Sequence, residues 1–198
     1  MSTTSKKQVR PYNYTEIGAT KRTDAPSPMR RGYRANEERI QIGSGQRRWE
    51  HAWKETLSWG IQRKSGYTVL PFHPPQPHPG AHPAPHAAEP TPELAREGME
   101  VLLQKRFGPL RLKMPVRVVY TIDEPARKGF AFGTQKGHPV SGEAAFIVKR
   151  NPDDSVWFTL RSLSGPGKGL WLFAHPMVLL LRTGIRNSYI KALAGPIS

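Results

Sequence analysis

Lys128-Gly129-Phe130-Ala131-Phe132-Gly133-Thr134-Gln135 is the stretch on which the fold turns. Its first five residues match the opening of the main RNA-recognition-motif signature: Lys/Arg, Gly, aromatic, Gly/Ala, aromatic, Val, any residue, aromatic. It also alternates as a strand does, with Phe130 and Phe132 on one face and Gly129, Ala131 and Gly133 on the other. The RNA reading fails on its neighbours. Gly133 stands where Val is required, and Gln135 replaces the third aromatic. The partner hexamer belongs on a strand set apart by a helix and another strand. Its nearest candidate, Val119-Tyr120-Thr121-Ile122, ends only five residues before Lys128. No crossover fits that gap, so the pair reads as an antiparallel hairpin. The rings are then expected in a core or cavity wall, and the small residues leave room for a close approach to the backbone.

The same alternation extends in both directions. Val116, Val118, Tyr120 and Ile122 precede the stretch, and "GEAAFIVKR" and "SVWFTLRSLS" follow it, with turns at Asp123-Glu124-Pro125, Gly137-His138-Pro139 and Asn151-Pro152-Asp153-Asp154. "GMEVLLQKRFG" is helical by propensity but alternates at Met99, Val101 and Leu103, so both states stay open. After the strands comes a helix from about Pro176 to Leu193. Met177, Leu180, Leu181, Ile185, Tyr189 and Leu193 share one face, and Gly195-Pro196 is its stop. Upstream, Arg39 to Ile42 alternates briefly. Gly43-Ser44-Gly45 then turns, with Ser44 placed to cap a helix that carries Trp49, Ala52, Trp53 and Leu57. Such a turn can cradle phosphate, but without a Walker lysine or the GxGxxG spacing a plain structural turn is the better reading. The fold class is α+β: a curved antiparallel sheet wrapped around a long C-terminal helix, with a further N-terminal helix.

Length and charge set the bounds. The 198 residues make one domain, 36–198, behind a basic and largely mobile tail, 1–35, with Tyr12-Asn13-Tyr14 as its candidate anchor. The net charge is +15, of which residues 1–48 carry +7. That balance favours polyanions without specifying a fold. There are no cysteines, which excludes disulfides, thiolate metal sites and cysteine nucleophiles. No apolar run reaches the roughly 20 residues of a membrane span, and no secretory signal opens the chain, so a cytoplasmic protein is expected. Residues 71–92, with nine prolines and four histidines, form an extended surface insertion. His73, His78, His82 and His86 lack carboxylate or cysteine partners there, so neither a metal nor any other cofactor is expected.

Read with its neighbours, the opening stretch resembles part of an uncharacterised family of bacteria and plants, the domain-of-unknown-function nineteen-ninety family. The matching residues are Asn13-Tyr14 with Gly18-Ala19, and Ile42-Gly43-Ser44-Gly45 before Trp49, Ala52, Leu57 and Trp59. A central block follows: Gly129, Phe130, Gly133, Thr134, Gly137, His138, Gly142, Glu143 and Phe146. Ser162, Ser164 and Tyr189 complete the pattern. The resemblance covers about residues 12–194, with the Pro/His tract as an insertion and Thr183 near where relatives often carry Gln. The family is similar to the helix-grip superfamily (Bet v 1-like, START-related). That likeness implies a cavity for an apolar or amphipathic ligand between sheet and helix.

Three readings of function follow. The leading one is a binding module for a small hydrophobic or amphipathic molecule, with Tyr14, Trp59, Phe130, Phe132, His138, Glu143, Phe146 and Tyr189 as the ligand-binding candidates. The second is an enzyme in which His138 and Glu143 act as acid and base, with Tyr14 as a further proton donor. Against it stands a turn-fixing hydrogen bond between the same two residues, and a Tyr14 that merely pins the tail. Trp53, Trp59, Trp157 and Trp171 are expected in the core or cavity wall rather than in specific ligand stacking. Ser162 and Ser164 have no histidine near them in sequence, so no triad is read. The third and least favoured reading is an electrostatic nucleic-acid binder using the tail, Arg182 and Arg186. Oligomeric state is not specified by the sequence.

Overall fold

The structure is a computed structural model that describes residues 10–21, 32–72, 93–166 and 175–195. The four histidines of the Pro/His tract and Trp171 lie outside the described residues, as do the side chains of Met177, Leu180, Leu181 and Arg182.

Alternating residues deliver seven strands: β1 (Arg34–Ser44), β2 (Thr68–Pro71), β3 (Glu100–Phe107), β4 (Leu110–Glu124), β5 (Arg127–Thr134), β6 (Val140–Arg150) and β7 (Ser155–Pro166). They form one open antiparallel sheet in the order β1-β7-β6-β5-β4-β3-β2. Four tight hairpins link β3 to β7, while β1 pairs with β7 at one edge and β2 with β3 at the other. Between β1 and β2 come two helices, α1 (Gly45–Leu57) and α2 (Gly60–Lys64). The last helix, α3, runs from His175 to Ala194.

The segment that could be helix or strand, "GMEVLLQKRFG", is a strand. Val101 and Leu103 are buried against the helices while β4 supplies its hydrogen bonds. Register overrides propensity there. β1 begins at Arg34, inside the stretch expected as tail and ahead of the alternation that starts at Arg39. Arg34, Ala35, Asn36 and Glu37 are exposed, so hydrophobic periodicity carries no trace of this end of the strand. An edge strand bearing charges is also one way a sheet avoids further pairing. Ser44 precedes α1 as expected, but its side chain makes no capping bond. Asp154 in the β6–β7 turn accepts the Gly45 N–H through its backbone oxygen at 3.0 Å instead.

The sheet's inner face and the helices enclose the main core. Phe130, Phe146 and Phe158 are fully buried in it, joined by Trp59 between α1 and α2. Trp59 has φ +65°, a left-handed backbone that costs roughly 1–3 kcal/mol for a bulky residue. Its ring is held 4.6 Å from Phe130 and 5.9 Å from Phe132, and burial of that area offsets the strain. From α3, Tyr189 and Leu193 are buried, and Ile185 and Ala192 pack beside them, one stripe at helical spacing. On the outer face Tyr120, Ile122, Ala131, Ala145 and Ile147 form a second, smaller cluster. Residues 10–21 lie on this side, where the sequence offered Tyr12-Asn13-Tyr14 as the anchor. Tyr12 bridges to Gln135, and a 3-10 turn spans Ala19–Lys21. Among the described residues no helix is long and apolar enough to cross a membrane.

Candidate functional site

Strand alternation assigns the polar residues of the central block to opposite faces of the sheet. Along β6, Phe146 and Val148 belong to the inner core and Ala145 and Ile147 to the outer cluster. Glu143 has the parity of Ala145, and its carboxylate therefore leaves the sheet on the outer side. It is 3% exposed and accepts from four donors of the N-terminal segment. These are the Tyr14 hydroxyl at 2.8 Å, Gly18 N at 2.7 Å, Thr20 N at 3.0 Å and the Thr20 hydroxyl. Thr20 Oγ1 is in turn 2.9 Å from the Tyr120 hydroxyl, which donates to it because the threonine proton is already given to Glu143. A carboxylate offers about four lone-pair sites, and here all are taken. Burial and the neighbouring carboxylate push the Tyr14 phenol well above its ordinary value, so it stays protonated and donating.

Gly133, paired with Glu143 across β5 and β6, shows why a glycine is needed beneath this contact. A Cβ there would stand 2.2 Å from the Tyr14 hydroxyl oxygen. Gly142 has φ +146°, and a Cβ on it would fall 1.9 Å from the Leu163 carbonyl. Thr134 ties the hairpin to the same segment: its Oγ1 accepts from Gly142 N at 2.8 Å and lies 2.5 Å from Asn13 Oδ1.

The inner face holds something different. A pocket of about 200 Å³ opens between the sheet and α3. Its carbon wall includes Leu103, Leu112, Met114, Phe132, Ala144 and Ile185. Its polar lining is sparse: His138, Thr134, Ser162, Ser164 and the phenols of Tyr67 and Tyr189. The two tyrosine rings lie 6.1 Å apart. Burial, with the neighbouring Tyr67, raises the Tyr189 phenol. His138 Nδ1 sits 3.0 Å from both the N and O of Val140, closing the turn and leaving Nε2 without a partner among the described residues. Burial lowers its pKa from 6.5 to about 4, with the Val140 bond opposing, so the ring is neutral at physiological pH.

The eight sequence candidates therefore separate. Phe132, His138 and Tyr189 line the pocket, and Glu143 contributes to its wall while its carboxylate is turned away. Trp59, Phe130 and Phe146 lie in solid core. Tyr14 is on the outer face with Glu143. The candidate His138–Glu143 couple finds no hydrogen bond between its members: each side chain is bonded elsewhere, one at Val140 and one to residues 14–20. Sequence spacing suggested proximity, but strand alternation turns the carboxylate to the other face. Thr20, Tyr120 and Tyr67 were missed. Gly18-Ala19 in the resemblance was the one signal that could have led to Thr20. Arg186, suggested for nucleic acid, stands 3.1 Å from Glu38 in an ion pair.

Fold and site together define an antiparallel helix-grip domain with a small, sparsely polar pocket against its last helix. The family described as Domain of unknown function (DUF1990) matches residues 13–192, and the chain belongs to it. It is 33% identical over 186 residues to a UPF0548 protein of Deinococcus radiodurans, an alignment covering 85% of each chain. A UPF0548 protein of Arabidopsis thaliana is 34% identical over 74 residues, 34% of this chain and 36% of that one. Among solved structures, the hypothetical protein jhp0584 from Helicobacter pylori superposes with a TM-score of 0.55 at 10% identity, covering 82% of this chain and 85% of that one. That likeness is one of fold.

Proposed function

We propose that the domain holds a small hydrophobic or amphipathic molecule in the inner pocket. The observation that carries this is the pocket's lining: a carbon wall with a few polar groups at its sides, the pattern expected of ligand sites. Glu143, the one carboxylic acid among the described residues of the wall, has its carboxylate saturated on the opposite face. A neutral His138, two serine hydroxyls and the protonated phenols of Tyr67 and Tyr189 are left to meet a polar atom of the ligand, which is accordingly uncharged. Its size is modest, since about 200 Å³ lies below the ~300–1,000 Å³ of drug-sized sites. A cytoplasmic setting belongs to the same proposal.

Native mass spectrometry of the purified full chain tests it. The expected result is a retained small molecule, absent when Ala144→Phe or Ser162→Leu fills the pocket in a chain that melts as the wild type does. No retained mass, or one that survives both substitutions, rejects the proposal. Acid/base catalysis by His138 and Glu143 receives no support from the geometry, because Glu143 has no lone pair free to take a proton from a substrate.

A further inference from the structure

The β3–β4 hairpin carries a cluster of positive charge with no counter-charge beside it among the described residues. Its tip is the two-residue turn Gly108-Pro109, closed by Phe107 paired with Leu110. One step in, Arg106 is paired directly with Arg111, and Lys113 lies two residues further along the face that Arg111 shares. Like charges placed opposite each other on one face of a sheet are destabilising unless an anion lies between or beyond them. Arg106, Arg111 and Lys113 are exposed, and none has an ion-pair or hydrogen-bond partner among the described residues. No acidic residue occurs in β2, in β3 beyond Glu100, or in β4 before Asp123, so this end of the sheet has no counter-charge of its own. The opposite face of the tip is apolar: Leu110 is 49% exposed, and Leu112 beyond it enters the pocket wall.

We infer that this hairpin docks on an anionic lipid bilayer, with Leu110 at the acyl boundary and the cations Arg106, Arg111 and Lys113 at the phosphate level. Charge complementarity selects an anionic surface. The leucine tip selects a bilayer over nucleic acid, because an aliphatic side chain gains by leaving water but offers no stacking platform for bases. Long basic side chains beside an apolar tip can keep their heads at the phosphates while their stems cover carbon. Each cation near such a surface contributes a modest, salt-sensitive attraction, and several together hold a protein reversibly. Leu103, Leu112 and Met114 of the same hairpin wall the pocket, so docking would set that wall beside the lipid. The docking itself does not require the pocket to be occupied.

Co-sedimentation of the full chain with phosphatidylcholine vesicles, with and without phosphatidylglycerol, provides the test. The wild type is expected to pellet only with the anionic vesicles and to be released by salt. Arg106→Gln/Arg111→Gln weakens that partition about thirtyfold. Leu110→Ser weakens it as well but leaves the salt dependence in place. All three substituted positions are exposed, and circular dichroism establishes that the variants remain folded. Failure to pellet with anionic vesicles overturns the inference, as does equal pelleting with neutral ones. A variant that pellets like the wild type also overturns it, since the attraction would then lie in the basic N-terminal residues. A single-stranded oligonucleotide that binds through Arg106 and Arg111, and is indifferent to Leu110→Ser, assigns the surface to nucleic acid instead.

Discussion

Among the described residues the Tyr14 hydroxyl makes one hydrogen bond, to Glu143, and that bond is charge-assisted and buried. Removing the hydroxyl with Tyr14→Phe leaves the ring in place and deprives the carboxylate of one of its four donors. Hydrogen bonds to charged groups are worth about 1.5–3 kcal/mol, and a loss of that size is expected in urea unfolding. His138 gives a pH-dependent counterpart. Its folded-state pKa lies below its ordinary value, so the unfolded chain binds the proton more readily between pH 6.5 and about 4. The contribution to stability is full above the upper limit and is lost as pH falls through that window. His138→Gln is expected to flatten this part of the stability–pH curve relative to the wild type. Identical curves for the two proteins would contradict the assignment.

At the level of elements, α1 and α3 are joined by one arginine. Arg48 donates through Nη1 to the carbonyls of Leu193 and Gly195, each at 2.8 Å, and so caps the end of α3 from its neighbour. The last carbonyls of a helix have no partner within it, and a cation there also meets the negative end of the helix dipole. Arg48→Ala is therefore expected to cost about 1–2 kcal/mol. The loss should appear as faster amide exchange in the final turn around Leu193, with the strands unaffected. Uniform acceleration across the sheet would show that the arginine acts on the whole core rather than on the helix end.

On the scale of the molecule, residues 10–21 act as a strap across the outer face. They satisfy Glu143, and Thr20 binds Tyr120 from the smaller apolar cluster. Deleting the chain through Lys21 removes all four donors together and uncovers that apolar surface. The truncated protein is expected to melt well below Tyr14→Phe and to associate through the exposed patch. A thermal scan with light scattering measures both. An unchanged melting temperature would mean that the strap is dispensable for the fold.

Much of the architecture was present in periodicity alone. Phe130 and Phe132, Val116 through Ile122, and the stripe on the last helix each carry the period of their element, and short turns between strands leave antiparallel pairing as the only geometry. Periodicity caught only residues 39–42 of β1, because exposed Arg34, Ala35, Asn36 and Glu37 leave no hydrophobic trace. It was ambiguous for β3, where only the partner strand decides. The site was less legible. A block rich in His, Glu and Tyr announced polar chemistry, but not that its members divide between two faces. By itself, the sequence determined the hairpins, the closing helix and the polar block. Tertiary structure alone decided that Glu143 holds the N-terminal strap and His138 faces the pocket, because the side of a sheet a residue serves depends on strand register and on what packs against it.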